Sequence, residues 1–479
     1  MQIDMTVNAA DLLDAANGVF ETAAGKVRSI AETRDPSSGA PVYTVAGRYT
    51  QRGWTEWTEG FQYGCALLAF DGAGDEEMLE LGRRQTWEHM APHLSHVGVH
   101  DHGFNTMSTY GNLLRLAREG RWQASDGDVE ACRVAIKVSG AVQAARWTGL
   151  PDGLGYVYSF NGPHSLFIDT IRSMRVLAAA HDLGHVLMGE RDRRIPLLGR
   201  ALVHAETTAR HNVYYGDGRD SFDIAGRVAH ESIFNTNDGS YRCPSTQQGY
   251  SPFSTWTRGL AWAVLGYPEL LEMLAWCDPD EVAELAVPSM ESVAAARARL
   301  LQVARATADF LIDHSASDGI PYWDTGAPGL RQLGDWRSRP AEPDNPAEPV
   351  DSSAAAIGAQ GLLRLGVLLA GSDGDSAQRY TQAGLTMART LFAAPYLGED
   401  PSHQGLLLHA VYHRPNGWDH VPAGSSVPNG EACMWGDYHL LELAVLVQRL
   451  GRGGRLTWLS PRAGATDRGT MPQRSSPTT

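Results

Sequence analysis

The stretch LFIDTIRSMRVLAAAHDLGHVL, residues 166–187, repeats apolar side chains at spacings of three and four. That period predicts a helix with one face packed against a core, not a strand. The same period returns at 10–27, 59–70, 76–90, 106–120, 129–145, 201–215, 259–276, 291–314, 352–370, 376–392 and 431–450. Gly/Pro-rich loops separate these segments, and few stretches alternate as strands do. About twelve helices in some 450 residues can stack as a solenoid or close into a ring of hairpins. A solenoid would carry a repeated sequence period, and none is found. The expectation is therefore an all-α protein, a single-domain (α/α)6 barrel over residues 1–450. Its functional residues should stand on loops and helix ends around the central mouth.

Two segments fall outside the pattern. Residues 331–349, RQLGDWRSRPAEPDNPAEP, read as one long surface loop. Residues 451–479 are Gly/Pro/Ser/Thr-rich, basic and non-periodic, and read as a disordered tail.

The 479 residues are 43% apolar and carry a formal charge of −15. The charge argues against nucleic acid or an anionic membrane as partner, because the field repels both. It leaves room for an anionic small molecule, which needs only a few local cations. The five cysteines form no CxxC pair, so neither a disulfide framework nor a thiolate zinc site is expected. The first twenty residues lack the basic and apolar blocks of a signal peptide. No apolar run looks long enough to span a bilayer. A soluble cytoplasmic protein, monomer or homodimer, is the expectation.

Chemistry has three candidate sources. The first is histidine, of which there are 17. His181 and His185 are four apart, a spacing that can bind a metal, but the motif is HDxxH and no third ligand is evident. In VHDHGF (99–104), His100 and His102 flank Asp101, which suits hydrogen bonding as well as ligation. No metal site is expected. The second source is a carboxylate pair. Asp101 precedes one helix, and Asp169 opens another among Leu166, Phe167, Ile168 and Ile171. Asp169 can be read as a charge placed at a helix N-terminus. It can also be read as a desolvated acid whose pKa rises, the more so beside a second carboxylate. The third source is a set of 13 tryptophans, several beside Gly, Asp, Gln and Arg near helix starts, as in a sugar-stacking cleft. Phosphate-cradling glycine loops and the serine-hydrolase GxSxG are absent.

The motifs WTEGF (57–61), HDHGF (100–104), FIDT (167–170), QGY (248–250), TWTRGLAW (255–262), DSSAAAI (351–357) and WGDYHLLE (435–442) stand in an order that resembles glycoside hydrolase family 88, the unsaturated glucuronyl hydrolases. The resemblance runs from about residue 50 to residue 450. It implies an (α/α)6 barrel, in agreement with the helix count. It also implies that Asp169 and Asp101 are the essential pair. His100, His230, Gln248, Trp256, Arg258, Trp262 and Trp57 then bind the substrate, with no metal and no cofactor. The implied substrate is an oligosaccharide made by a polysaccharide lyase, ending in a uronic acid with a C4=C5 double bond. The implied reaction is hydration of that bond, with Asp169 as proton donor and then base. Two departures stand out. The family's apolar run after FID is replaced by TIRSMRVLAAA, with Arg172 and Arg175, and HDHGF carries a histidine where an aliphatic residue is common. Rival readings are an unsaturated rhamnogalacturonyl hydrolase on the same fold, a sugar epimerase using histidines, and a sugar-binding protein without turnover.

Overall fold

A computed structural model describes residues 1–52 and 56–454. The tail expected from 451 thus lies, from 455 on, outside the described residues.

The helices form two concentric rings. The outer ring holds α1 (Leu13–Thr33), α3 (Glu76–His89), α5 (Asp126–Ala145), α7 (Leu197–His211), α9 (Val293–Asp313) and α11 (Gly374–Leu391). The inner ring holds α2 (Glu59–Ala73), α6 (Thr170–Asp182), α8 (Thr257–Leu274), α10 (Ser352–Leu369) and α12 (Met434–Gly451). Its remaining member, α4, runs through His102–Thr106, a π turn at Met107–Gly111, and Asn112–Arg118. Each inner helix packs on the next, and α12 returns to α2, which closes the ring. This is the (α/α)6 barrel.

Composition explains the division. Every residue of α8 is buried, as a helix walled on all sides requires, whereas α11 has a polar outer face. Helix α10 is long and apolar enough to cross a membrane, contrary to the reading that no run was. It is an inner barrel helix, 89% buried in protein. Outer helices begin on side-chain caps: Asp75, Ser125, Ser292 and Asp373 accept from the first-turn backbone N–H groups. Inner helices approach one another at glycine. A Cβ at Gly361 would lie 2.1 Å from the Val264 carbonyl oxygen, and one at Gly103 would lie 2.4 Å from Ser173 Cα.

The helix expected over 166–187 is shorter than its period suggested. Ser165–Phe167 forms a strand paired with Glu231–Phe234, and Val186–Met188 pairs with Arg194–Pro196. Cross-strand hydrogen bonds at both ends compete with helix; the partner of the first strand is distant in sequence, and that of the second is its neighbour in a hairpin. The segment 331–349 is not purely a surface loop. Leu333 and Trp336 are buried, and Glu348 accepts from Trp323 Nε1 at 2.8 Å and Gly329 N at 2.8 Å.

Candidate active site

All six inner helices begin at the same end of the barrel. Six of the seven sequence motifs occupy those starts: WTEGF at α2, HDHGF at α4, FIDT at α6, TWTRGLAW at α8, DSSAAAI at α10 and WGDYHLLE at α12. Side-chain contacts tie the starts together. Trp57 stacks on Trp435 with centroids 5.0 Å apart, Trp435 Nε1 donates to Ser353 Oγ at 3.0 Å, and Arg258 pairs with Asp351 at 3.0 Å. Six parallel helices aim the positive ends of their dipoles at this mouth, which makes it favourable to an anion.

The centre is His100. Its Nε2 lies 3.3 Å from Asp169 Oδ1 and 3.7 Å from Asp101 Oδ1, and all three residues are buried. Asp101 and Asp169 both sit at N-cap positions, yet neither side chain caps its helix. Asp169 stands at a helix N-terminus, but its side chain is turned to His100 and not to the helix's own N–H groups. The approach depends on Gly103. Its N–H donates to Ser173 Oγ at 2.8 Å, and its carbonyl accepts from Arg175 Nε at 2.9 Å, clamping α4 on α6.

The electrostatics reverse one expectation. Burial, reinforced by the Asp169 charge, pushes Asp101 up to about 6 against the pull of His100. Burial would also raise Asp169, but the hydrogen bond and charge of His100, then His230 and Arg258, outweigh it and hold Asp169 below its usual value. Burial would lower His100, but the two aspartates overcome it and raise it. The raised carboxyl of the resting site is therefore Asp101, not Asp169. Sequence could not show that His100 reaches the further aspartate.

The two histidines of HDHGF part company. His102 Nε2 donates to the His96 carbonyl at 2.9 Å, so its Nδ1 accepts from Ser139 Oγ at 2.8 Å. Burial takes it down to about 4, and the ring is a neutral strut.

His230 lies beyond Asp169, packed between Phe167 and Trp256 with centroids at 4.5 and 4.7 Å. Its Nδ1 accepts from the Gln247 backbone N–H at 3.0 Å, and burial lowers it to about 4. The neutral ring therefore carries its proton on Nε2, which has no partner among the described residues. Arg258 is differently placed from a free uronate clamp. Its Nη1 donates to Asp351 and the Val411 carbonyl; its Nη2 donates to Gln248 Oε1 at 2.8 Å and the Tyr412 carbonyl at 2.7 Å. The guanidinium lies between the faces of Trp256 and Trp435. It contributes charge and holds Gln248. Trp57 is half-buried at the mouth. Trp256 and Trp262 are buried, Trp262 against Phe104 and His439.

One residue escaped the sequence reading. Phe160 is 47% exposed and lies parallel to the His100 ring at 6.1 Å. Its motif, YSFNG, is indistinguishable from an ordinary turn. Arg172 and Arg175 point away from the site, into the barrel axis, where both pair with Glu269 and Glu442. Among the described residues no group of three or more His, Cys, Asp or Glu is arranged to hold a metal ion. His181 pairs with Glu281 at 3.4 Å.

No protein-family model matches the chain. Over 409 residues it is 24% identical to an unsaturated glucuronyl hydrolase of Bacillus sp. (strain GL1), covering 84% of this chain and 89% of the relative. It is 27% identical over 398 residues to an unsaturated chondroitin disaccharide hydrolase of Streptococcus pyogenes serotype M1, covering 81% and 80%. The chain resembles the unsaturated glucuronyl hydrolases over most of its length. The crystal structure of the Bacillus sp. GL1 unsaturated glucuronyl hydrolase superposes with a TM-score of 0.65 at 24% identity, over 94% of this chain and 98% of that one. An unsaturated glucuronyl hydrolase specific for heparin superposes with a TM-score of 0.68 at 20% identity, over 93% and 99%. The two superpositions establish the barrel fold.

Proposed function

We propose that this protein is a glycoside hydrolase that removes a 4,5-unsaturated uronic acid from the non-reducing end of lyase-generated oligosaccharides. The observation that carries the reading is His100 held between two buried aspartates at the mouth where six helix N-termini converge. The similarity to unsaturated glucuronyl hydrolases supports it.

In the resting site Asp169 is the anion of an ion pair with His100. An entering uronate brings a further negative charge, which raises the pKa of a nearby carboxyl. The proton then moves along the 3.3 Å hydrogen bond from His100 Nε2 to Asp169 Oδ1. Asp169 delivers it to C4 of the sugar, leaving positive character on C5 and the ring oxygen. Water attacks C5 and gives a proton to the Asp169 carboxylate. The product is a hemiketal, which opens and releases the neighbouring sugar. Asp101 keeps His100 charged and oriented. The helix N-termini and the Arg258 charge hold the uronate, and His230 Nε2–H donates to it. Gln248 and Trp57 line the pocket, Trp256 and Trp262 back it, and Phe160 offers an exposed ring to the sugar chain. We further propose a reducing, cytoplasmic setting, a reading that the five free thiols support.

The test is ultraviolet absorbance of the conjugated double bond, followed with time on a panel of unsaturated disaccharides. Loss of the band and appearance of two sugars from one is the expected result. A flat trace on every disaccharide from folded protein, or an intact disaccharide with altered stereochemistry, would sink the proposal.

A further inference from the structure

The last turn of α5 grips the HDHGF turn from outside the inner ring. Gln143 Nε2 donates to the His100 carbonyl at 2.6 Å, and its Oε1 accepts from the His102 N–H at 3.2 Å. Arg146, the residue that ends α5, is 7% exposed and reaches further. Its Nη1 donates to the Val97 carbonyl, its Nη2 to the Ser159 carbonyl at 2.8 Å and its Nε to the Tyr158 carbonyl at 3.3 Å. The guanidinium lies 4.3 Å from the centroid of the Tyr158 ring. One planar fork thus joins the chain just before His100 to the chain just before Phe160. Glu231 holds the far side of the Phe160 turn, accepting from Asn161 Nδ2 at 3.0 Å. Between the joined turns, the rings of His100 and Phe160 lie 21° from parallel.

All three acceptors are neutral carbonyls, and among the described residues no ion pair joins Arg146 to a carboxylate. Carbonyls satisfy the N–H groups but leave the positive charge uncancelled, and a buried guanidinium keeps its proton. Burial dominates both His100 and Asp101, and beside their mutual attraction the Arg146 charge lowers both. The other groups around His100 are Asp169 and Asp101, at 3.3 and 3.7 Å, with His230 and Arg258 acting on the Asp169 side. His204 of α7 is kept neutral by burial and then by the His100 charge.

We propose that Arg146 is a positioning residue for this site. It fixes the Phe160 ring against His100 and places one uncompensated positive charge behind the His100–Asp101 pair. Its effect on turnover rests on the hydrolase reading; its effect on His100 does not.

Two substitutions separate these actions. A lysine keeps the charge but has one nitrogen, which cannot span both turns as the fork does. A glutamine has no charge. His100 would be followed by the Cε1–H resonance in histidine-labelled protein, assigned with His100→Ala. Its titration midpoint should rise by about 0.5–1 unit in Arg146→Gln, because loss of a nearby cation favours the imidazolium. It should stay at the wild-type value in Arg146→Lys. Exchange of the Ser159 amide, bonded to the Ser165 carbonyl at 2.9 Å, should quicken about tenfold in both variants. On an unsaturated disaccharide, Arg146→Lys should raise KM by about threefold to tenfold as the Phe160 ring loosens, with kcat moved less. An unmoved His100 midpoint in folded Arg146→Gln, with only Tm lowered, would leave Arg146 a structural strap and overturn the proposal. Wild-type KM and wild-type Ser159 exchange in Arg146→Lys would overturn it as well, and that variant decides if Arg146→Gln does not fold. Wild-type protein inert on every disaccharide would count against the hydrolase reading alone; the titration and the exchange would still decide the role of Arg146.

Discussion

Nε2 of His100 lies 3.3 Å from Oδ1 of Asp169, 69 positions along the chain. One imidazole thereby links the two carboxylates that begin adjacent inner helices. In the proposed hydration the proton is stored on this bridge, not on an isolated buried acid.

Asp169→Asn removes the group that, in the proposed reaction, gives and takes that proton. We expect kcat to fall by about 10²–10⁴, the usual value of a positioned acid/base, with KM and Tm changed far less. Stopped absorbance traces on the best disaccharide would read kcat. A variant within tenfold of wild type would remove Asp169 from the chemistry.

His100 and His102 should separate cleanly. His100→Ala should depress kcat while leaving the fold intact. His102→Ala leaves Ser139 Oγ and the His96 carbonyl without their buried partner, a loss of about 2–4 kcal/mol. Its folded fraction should turn over substrate within a few-fold of wild type. Calorimetry beside kinetics on both variants checks this, and the reverse pattern would exchange their roles.

Asp101 gives a pH signature. Its folded pKa of about 6 lies above its unfolded value. Its contribution to stability is therefore full below the unfolded value and is lost as pH rises through 6. Asp101→Asn should be more stable than wild type at pH 7.5, by on the order of 2 kcal/mol, and not at pH 4. Urea unfolding at the two pH values measures the difference. A variant less stable at pH 7.5 would contradict the assignment.

Gly103 controls the approach of the two halves. A methyl group there meets Ser173 Cα at 2.4 Å, so Gly103→Ala must part α4 from α6. Overpacking of this kind is destabilising by about 1–3 kcal/mol, and moving His100 off Asp169 should lower kcat at least about tenfold. Full activity in Gly103→Ala would show that the carboxylate spacing is not set here.

The proposed hydration uses only proton transfers between Asp169, His100 and water. Dialysis against EDTA should leave turnover unchanged, and a loss restored by a divalent cation would overturn the mechanism.

Sequence alone determined the helical period, and with it the all-α class and the count of twelve. Buried helix faces repeat every three or four residues whatever they pack on, so the pattern is local. It also placed the motifs, because side chains that serve a barrel mouth stand at helix starts. Asp101, Asp169 and His100 stand at such starts, whereas His230 precedes the strand Glu231–Phe234 and was reached only through the resemblance. Other features needed the closed ring. Periodicity could not stop the helix at Thr170, since the strand Ser165–Phe167 exists only through Glu231–Phe234. No spacing could show that Asp101, not Asp169, carries the raised pKa, since that follows from where His100 lies. The resemblance made Arg258 a substrate-binding residue, and only the fold shows its η nitrogens taken up by Asp351, Val411, Gln248 and Tyr412. Arg172 and Arg175 read as departures near the site and proved to face the barrel axis. Desolvation, pKa and hydrogen-bond saturation depend on neighbours distant in sequence, and only the tertiary structure supplies those.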